Sequence, residues 1–460
     1  MKFNRREALR AGLVTSLSIA SSAVLPFAPG CRKRSSGAER PNVLFISLDT
    51  TRRDHLGCYG YQRPTSPNID ALAAESLVYT QAISPSSWTL PAHASMFTGK
   101  FLASHGAQKD PEGPLVLTSV ISGHKEYERY RARGISSEEV TLAHLLKQAG
   151  YDTAGVVAGP WMKKAFGLGT GFDFYDDARI DSLDGRLAQS VTTSALAWLE
   201  QQQQSQNPFF LFLNYFDPHT PWTPEPLFLR PFATPEITQG DPWLLEIAKY
   251  DAEILYMDVS IGMLLKQLKA SGLYDNTMII VTADHGELLG EHGLHGHGAY
   301  LTQEEIHIPF IVKEPRGERE PARLSTRVQL VDILPTICER LNLSLPPGVQ
   351  GSSLENITHP VIAEVYPYGF NSEDGDWQSI YDGDHKLAWN SKGSHKLFNL
   401  RTDPAENHNI LEREPELAQS LMKKLKDYLG SLPKPPEIDQ LDIQVDEETL
   451  RTLKSMGYVQ

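Results

Sequence analysis

Asn42-Val43-Leu44-Phe45-Ile46-Ser47-Leu48-Asp49 decides how the rest of the chain reads. The run is apolar on both faces instead of alternating, and then stops on a carboxylate. A strand affords that pattern where helices cover both sides of a parallel sheet. Two other apolar runs end in the same way. Asn207–Tyr215 leads to Asp217, and Met278–Thr282 leads to Asp284. Helical patterns lie around them at Ile69–Val78, at Thr141–Gly150 where glycine stops the helix, and at Tyr250–Leu268. Tyr151–Val157 reads as a strand, and Ile308–Val312 followed by a helix from Asp332 to Leu341 extends the alternation. The fold class is therefore α/β: a mainly parallel sheet flanked by helices, spanning residues 40–350. Its acidic residues stand at the carboxyl ends of strands, where open sheets of this kind place ligands.

After Gly351 the character changes. Short strand-like pieces at Pro360–Val365, Gln378–Tyr381, Lys386–Trp389 and Lys396–Leu400 alternate with turns, and a helix follows from Pro415 to Leu429. Residues 351–460 thus read as a smaller antiparallel sheet with a helix, then a polar tail. The charged stretch Ala107–Glu139 has no clear period and reads as an insertion over the pocket.

Residues 1–31 do not read as part of a fold. Arg5-Arg6 in a basic leader precedes an uncharged stretch from Ala11 to Phe27, which runs into Ala28-Pro29-Gly30-Cys31. This resembles a twin-arginine export signal ending at a lipoprotein cleavage site, with Cys31 as the lipidated residue. The expected location is the periplasm or cell envelope. The net charge of −14 argues against nucleic acid or an anionic membrane surface as partner, since both favour a basic face. Membrane contact is then expected only through a lipid anchor on Cys31. The remaining cysteines, Cys58 and Cys338, read as free thiols, and no zinc-ligand spacing of cysteines is present.

Four segments carry the chemistry. They are Leu48-Asp49-Thr50-Thr51-Arg52, Trp88-Thr89-Leu90-Pro91-Ala92-His93, Phe216-Asp217-Pro218-His219-Thr220-Pro221, and Thr282-Ala283-Asp284-His285-Gly286-Glu287 with His295-Gly296-His297-Gly298 close behind. Singly, an Asp after a strand is more often a helix cap and a His more often a satisfied core residue. Together and in this order they closely resemble the sulfatase family of the alkaline phosphatase superfamily. Gly60–Asp70, Leu330–Thr336 and Leu397–Asn409 add to the likeness, which spans nearly all of the chain beyond the leader.

The resemblance implies roles. Asp49, Asp284 and His285 are expected to ligate one divalent metal, with Thr89 at the nucleophile position also touching it. His93, His219 and His297 are expected among the catalytic side chains, the last two contacting the anionic ester group or the leaving oxygen. Hard carboxylates with one imidazole suit Ca²⁺, Mg²⁺ or Mn²⁺ and leave Zn²⁺ open. A second metal at Asp217 with His219 or His297 stays open against a simple capping role for Asp217.

The departures matter as much. Sulfatases convert a Cys or Ser in Cys/Ser-x-Pro-x-Arg to formylglycine; here Thr89 stands at that position and His93 replaces the arginine. The family's Gly-Lys-Trp-His segment is replaced by Ala158-Gly159-Pro160-Trp161, with Lys163 and Lys164 nearby. Formylglycine is not expected. A threonine ester must be opened by attack of water or another alcohol at the central atom, and superfamily members with a threonine nucleophile mostly handle phosphate diesters. The reading is an exported, metal-dependent hydrolase of sulfate esters or phosphate (di)esters, acting on an anionic ester of a glycan or lipid head group. The alternatives are an envelope phosphotransferase moving a phosphoglycerol- or phosphoethanolamine-like group, and an inactive ligand-binding homologue.

Overall fold

The computed structural model describes residues 40–110, 113, 115–116, 131–367 and 374–436. The stretch 1–31 read as an export signal, much of the charged insertion and the C-terminal tail lie outside the described residues. Along the chain the central sheet collects β1 (Asn42–Leu48), β2 (Leu77–Ile83), β3 (Asp152–Val156), β4 (Phe174–Asp176), β5 (Phe209–Tyr215), β6 (Thr277–Thr282), β7 (His307–Lys313) and β8 (Ala322–Gln329). Their order across the sheet is β8-β2-β7-β6-β1-β5-β3-β4. Every residue of β1, β5 and β6 is buried, as the two-faced apolar runs predict. Burying each such Phe, Leu or Ile contributes roughly 1.5–3 kcal/mol. β1 lies parallel to both β5 and β6, with Ser47 opposite Asn214 on one side and Thr282 on the other. The carboxyl ends of the three central strands therefore finish side by side.

The strand Ile308–Val312 does not continue the parallel run. It belongs to β7, which pairs antiparallel with both β2 and β6. Periodicity marks a strand but not its direction, which is set by the connection that precedes it. The helix expected over Ile69–Val78 is also shorter. α1 spans Pro67–Ala73, and Leu77 and Val78 open β2. The β-branched and aromatic residues from Val78 to Ile83 favour an extended chain, and the apolar spacing fits either element over the overlap.

The remaining long helices are α2 (Thr89–Thr98), α3 (Leu142–Gln148), α4 (Ala188–Gln202), α5 (Pro242–Ala270), α6 (Ile333–Arg340) and α7 (Pro415–Ser431). All residues of α2 are buried, so it carries no polar stripe to reveal a helical period. A four-stranded antiparallel sheet of β9 (Ile362–Val365), β10 (Trp377–Asp382), β11 (His385–Asn390) and β12 (Lys396–Asn399) follows. α7 covers one face of it, where Ala418, Leu421 and Leu425 pack on Ile362, Ile380, Leu387 and Leu397. This sheet is docked on the larger one by Gln329, whose side chain both donates to the Ile362 carbonyl (2.7 Å) and accepts from its N–H (3.1 Å). Cys58 and Cys338 are free thiols. Among the described residues no helix is long and apolar enough to cross a membrane.

Candidate metal centre and active site

The turn after β1 brings the first carboxylate into the site. Thr50 has φ of 52°, a left-handed conformation that a β-branched residue rarely adopts. Tyr250 of α5 holds it there: its hydroxyl donates to the Thr50 carbonyl (2.8 Å) and accepts from Arg52 N–H (2.9 Å). The Thr50 N–H then donates to Asp284 Oδ1 at 3.2 Å, tying the end of β1 to the loop after β6. His285 N–H donates to the same oxygen at 2.8 Å.

Asp49, Asp284 and His285 each offer one ligand atom, and these atoms lie within 4.8 Å of one another, all buried. Both oxygens of Asp49, Oδ2 of Asp284 and Oγ1 of Thr50 are buried without a hydrogen-bond partner. Burial and the neighbouring Asp284 push the Asp49 carboxyl well above the usual range, and burial raises Asp284 too. Two carboxylates cannot be left this way without cost, since unpaired buried acceptors and like charges both destabilise. A cation resolves both problems at once, so the donor set fits a divalent metal. His285 is prepared for the same task. Its Nδ1–H donates to the Gly286 carbonyl at 2.8 Å, which leaves the Nε2 lone pair facing inward, and burial holds the ring neutral.

Thr89 opens α2 with its Oγ1 3.3 Å from His285 Nε2. The sequence-expected nucleophile and the three expected ligands are thus brought to one point. His93 lies one turn further along α2 and is fully enclosed. Its Nδ1 sits 2.8 Å from the Thr89 carbonyl and 3.6 Å from Asp284 Oδ2, and its Nε2 is 2.9 Å from Ser47 Oγ. Both ring nitrogens are engaged, so this histidine braces α2 against β1 behind Thr89.

His219 and His297 face the same space. Their rings are 5.0 Å apart, and His297 is 4.5 Å from His285. His219 stacks on Phe216 at 4.3 Å and donates Nδ1–H to the Thr220 carbonyl, leaving Nε2 as an acceptor. Burial pushes both rings down to about 3, with a further push on His219 from His297 and on His297 from Lys109. Asp217 does something else. Its Oδ2 accepts from Ala188 N–H at the start of α4 (2.9 Å), and it is not part of the acidic cluster. That is the capping role.

Sequence reasoning did not assign Glu287. Its carboxylate is fully buried with both oxygens 3.2–3.3 Å from His297 Nδ1, and burial raises it to about 7. Its place in the Asp284-His285-Gly286-Glu287 run was the available signal, but its partner stands ten residues on and is met only after the β-turn pair Leu288–Leu289 with His295–Gly296 folds back.

A model of the Sulfatase family matches residues 41–343. The chain is 25% identical over 439 residues to an ulvan-active sulfatase of Formosa agariphila, covering 84% of this chain and 81% of that protein. Among solved structures it is similar to a protein in complex with D-glucosamine-2-N,6-O-disulfate, with a TM-score of 0.71 and 20% identity over 85% of this chain and 98% of the other. A phosphonate monoester hydrolase of Agrobacterium radiobacter shares the fold at a TM-score of 0.67 and 18% identity, covering 85% and 96%. The metal-competent cluster at the strand ends, the buried helix behind it and a family match over more than half the length agree: the chain belongs to the sulfatase family, with the alkaline-phosphatase-like fold.

Proposed function

We propose that the protein is a metal-dependent hydrolase of anionic esters carried on glycans, using the Thr89 hydroxyl as nucleophile in place of formylglycine. The observation that carries this reading is the meeting of Thr89 Oγ1 with His285 Nε2 beside carboxylate oxygens that have no donor. A divalent ion held by Asp49, Asp284 and His285 would polarise the ester oxygens and make the Thr89 hydroxyl easier to deprotonate. The chain's own residues supply the rest. His93 fixes the backbone of Thr89 so that Oγ1 points into the site. Attack of Oγ1 on sulfur or phosphorus, its proton passing to solvent water in the site, forms a threonine ester and breaks the bond to the leaving alcohol's oxygen. His297, joined to Glu287, is placed to pass that alcohol its proton, and a Glu287 carboxyl near 7 can supply one at neutral pH. His219 Nε2, an acceptor, is placed to take a proton from the water that opens the threonine ester.

The family supports sulfate esters, while a threonine in place of formylglycine favours phosphate diesters. The test is turnover of the metal-loaded protein on matched aryl sulfate, phosphate monoester and phosphate diester, together with Thr89→Ala and Asp284→Ala. Preference for the diester would support phosphorus chemistry; preference for sulfate would show that threonine serves a sulfatase directly. Thr89→Ala is expected to lose on the order of 10³-fold or more in kcat and to accumulate no covalent intermediate by mass spectrometry. Asp284→Ala should lose both bound metal and turnover. Unchanged turnover in either variant rejects the assignment. The export signal read at residues 1–31 would place this activity in the periplasm or cell envelope.

A further inference from the structure

We infer that Lys109 is the residue that binds the anionic head of the ester, standing in for the basic side chains missing from this chain's versions of the family motifs. The inference rests on the hydrolase reading above and names the residue that recognises its substrate.

Lys109 reaches the site from outside the four chemical segments. It ends the short strand Gln108–Lys109, which pairs with Arg131–Arg133 so that Lys109 stands opposite Ala132. Its ammonium lies 4.9 Å from the centre of the Trp88 ring, one residue before the nucleophile. A Cβ built on Gly298, next to His297, would lie 3.3 Å from the same Nζ. The charge is close enough to His285 and His297 to lower both. Lys109 therefore stands between the nucleophile's neighbour and the leaving-group histidine.

No carboxylate holds it there. Among the described residues the Lys109 side chain makes no ion pair or hydrogen bond, and it lies over the Trp88 ring face. Several other basic side chains are committed: Arg52 to Asp54 and Glu291, Lys100 to Glu139, Arg186 to Asp176, and Lys163 to the Asp177 carbonyl. Glu305 is the carboxyl group whose charge most favours the Lys109 ammonium, but burial raises it to about 8 and its side chain caps the helix Gln303–Ile306 through Thr302. Burial in turn pushes Lys109 down to about 8, which an anion on the ammonium would reverse. A half-buried cation without a counter-charge, held between Trp88 and Gly298, matches the non-bridging oxygens of a sulfuryl or phosphoryl group. The two replaced motif positions, His93 and Ala158–Trp161, supply no free cation for this purpose.

Two measurements on the full chain test this. The first is acetylation of lysines by trace acetic anhydride, read peptide by peptide by mass spectrometry, with and without inorganic sulfate. Lys109 is expected to be protected several-fold by sulfate while exposed lysines such as Lys423 are not. The second is sulfate affinity by calorimetry for wild type, Lys109→Met and Lys109→Arg, each checked for an unchanged melting temperature. The Met variant should bind sulfate at least about tenfold more weakly, with Arg recovering part, and KM for the best aryl ester should rise more than kcat falls. Equal protection of all lysines, or equal sulfate affinity in the Met variant, overturns the inference. A loss of sulfate affinity in Lys109→Met alongside full activity of Thr89→Ala would instead sink the nucleophile and leave the anion site standing.

Discussion

Lys386 and Glu406, sealed where the C-terminal sheet meets the loop around Leu301, lie 2.7 Å apart. Around them the opposite charges face each other and gain backbone partners: Lys386 also donates to the Leu301 carbonyl, and Glu406 accepts from Gln303 N–H at 3.0 Å. Asp49 and Asp284 are sealed just as completely at the end of the central sheet, yet three of their four oxygens have no donor. The difference separates charge that serves folding from charge kept for a ligand. A buried pair is complete in the chain itself, and an orphaned pair of like charges is complete only with something else. Removing one member should therefore have opposite effects in the two places.

At the docked sheet the loss should be large. Glu406→Gln leaves the Lys386 ammonium buried without its counter-charge, a change that costs about 3–5 kcal/mol. Urea denaturation should show a clearly lowered midpoint, with Lys386→Met/Glu406→Gln recovering much of the loss. A midpoint equal to wild type would break the comparison from the structural side.

At the strand ends the sign should reverse. Asp49→Asn removes one of two facing like charges, so the metal-free protein should be more stable by about 1 kcal/mol, the scale of an unsatisfied buried acceptor. That corresponds to a rise of roughly 1 °C in melting temperature for a chain of this size. Saturating Mn²⁺ or Ca²⁺ should raise the melting temperature of wild type and leave the variant unmoved, since only the native form with both carboxylates gains from the ion. A destabilised Asp49→Asn protein would mean that the aspartate serves the fold.

The same contrast explains what could be read from the sequence. Asp49 and Asp284 are legible because each ends an apolar run, and strand ends of a parallel sheet converge whatever the details of packing. Thr89 and His93 were found by motif, yet the part His93 plays depends on Ser47, which stands across the sheet and far back in the chain. Asp217 ends a run in just the same way, but its partner is Ala188 N–H, and no local pattern announces that a helix will start beside it. α2 hides because it is buried all round, and β7 because direction leaves no mark on periodicity. Lys109 was hidden most deeply. It sits in a charged stretch without a period, and only the folded chain shows its ammonium between the Trp88 ring and Gly298.

The smallest expected effect sharpens the comparison on the paired side through pH. His359 Nε2 lies 2.7 Å from Asp332 Oδ1 at the seam between the two sheets. Burial alone would lower this histidine, but the hydrogen bond and charge of Asp332 outweigh it and hold the ring above its ordinary value. A group raised on folding adds stability that is fully present below the unfolded value of about 6.5 and is lost as pH rises through the folded value. Asp332 keeps the Gln329 and Ser352 N–H donors at 2.7 and 2.8 Å in either case, so His359→Gln should still fold. Melting temperatures of wild type and His359→Gln should then differ by roughly a degree or less at pH 5.5 and converge towards pH 8.5, other titrating groups being common to both. A gap that stays constant with pH would show that the imidazole acts at this seam by packing on Phe101, at 5.4 Å, rather than by charge. In that case the Asp332–His359 contact would not belong with Lys386 and Glu406 as buried charge that serves folding.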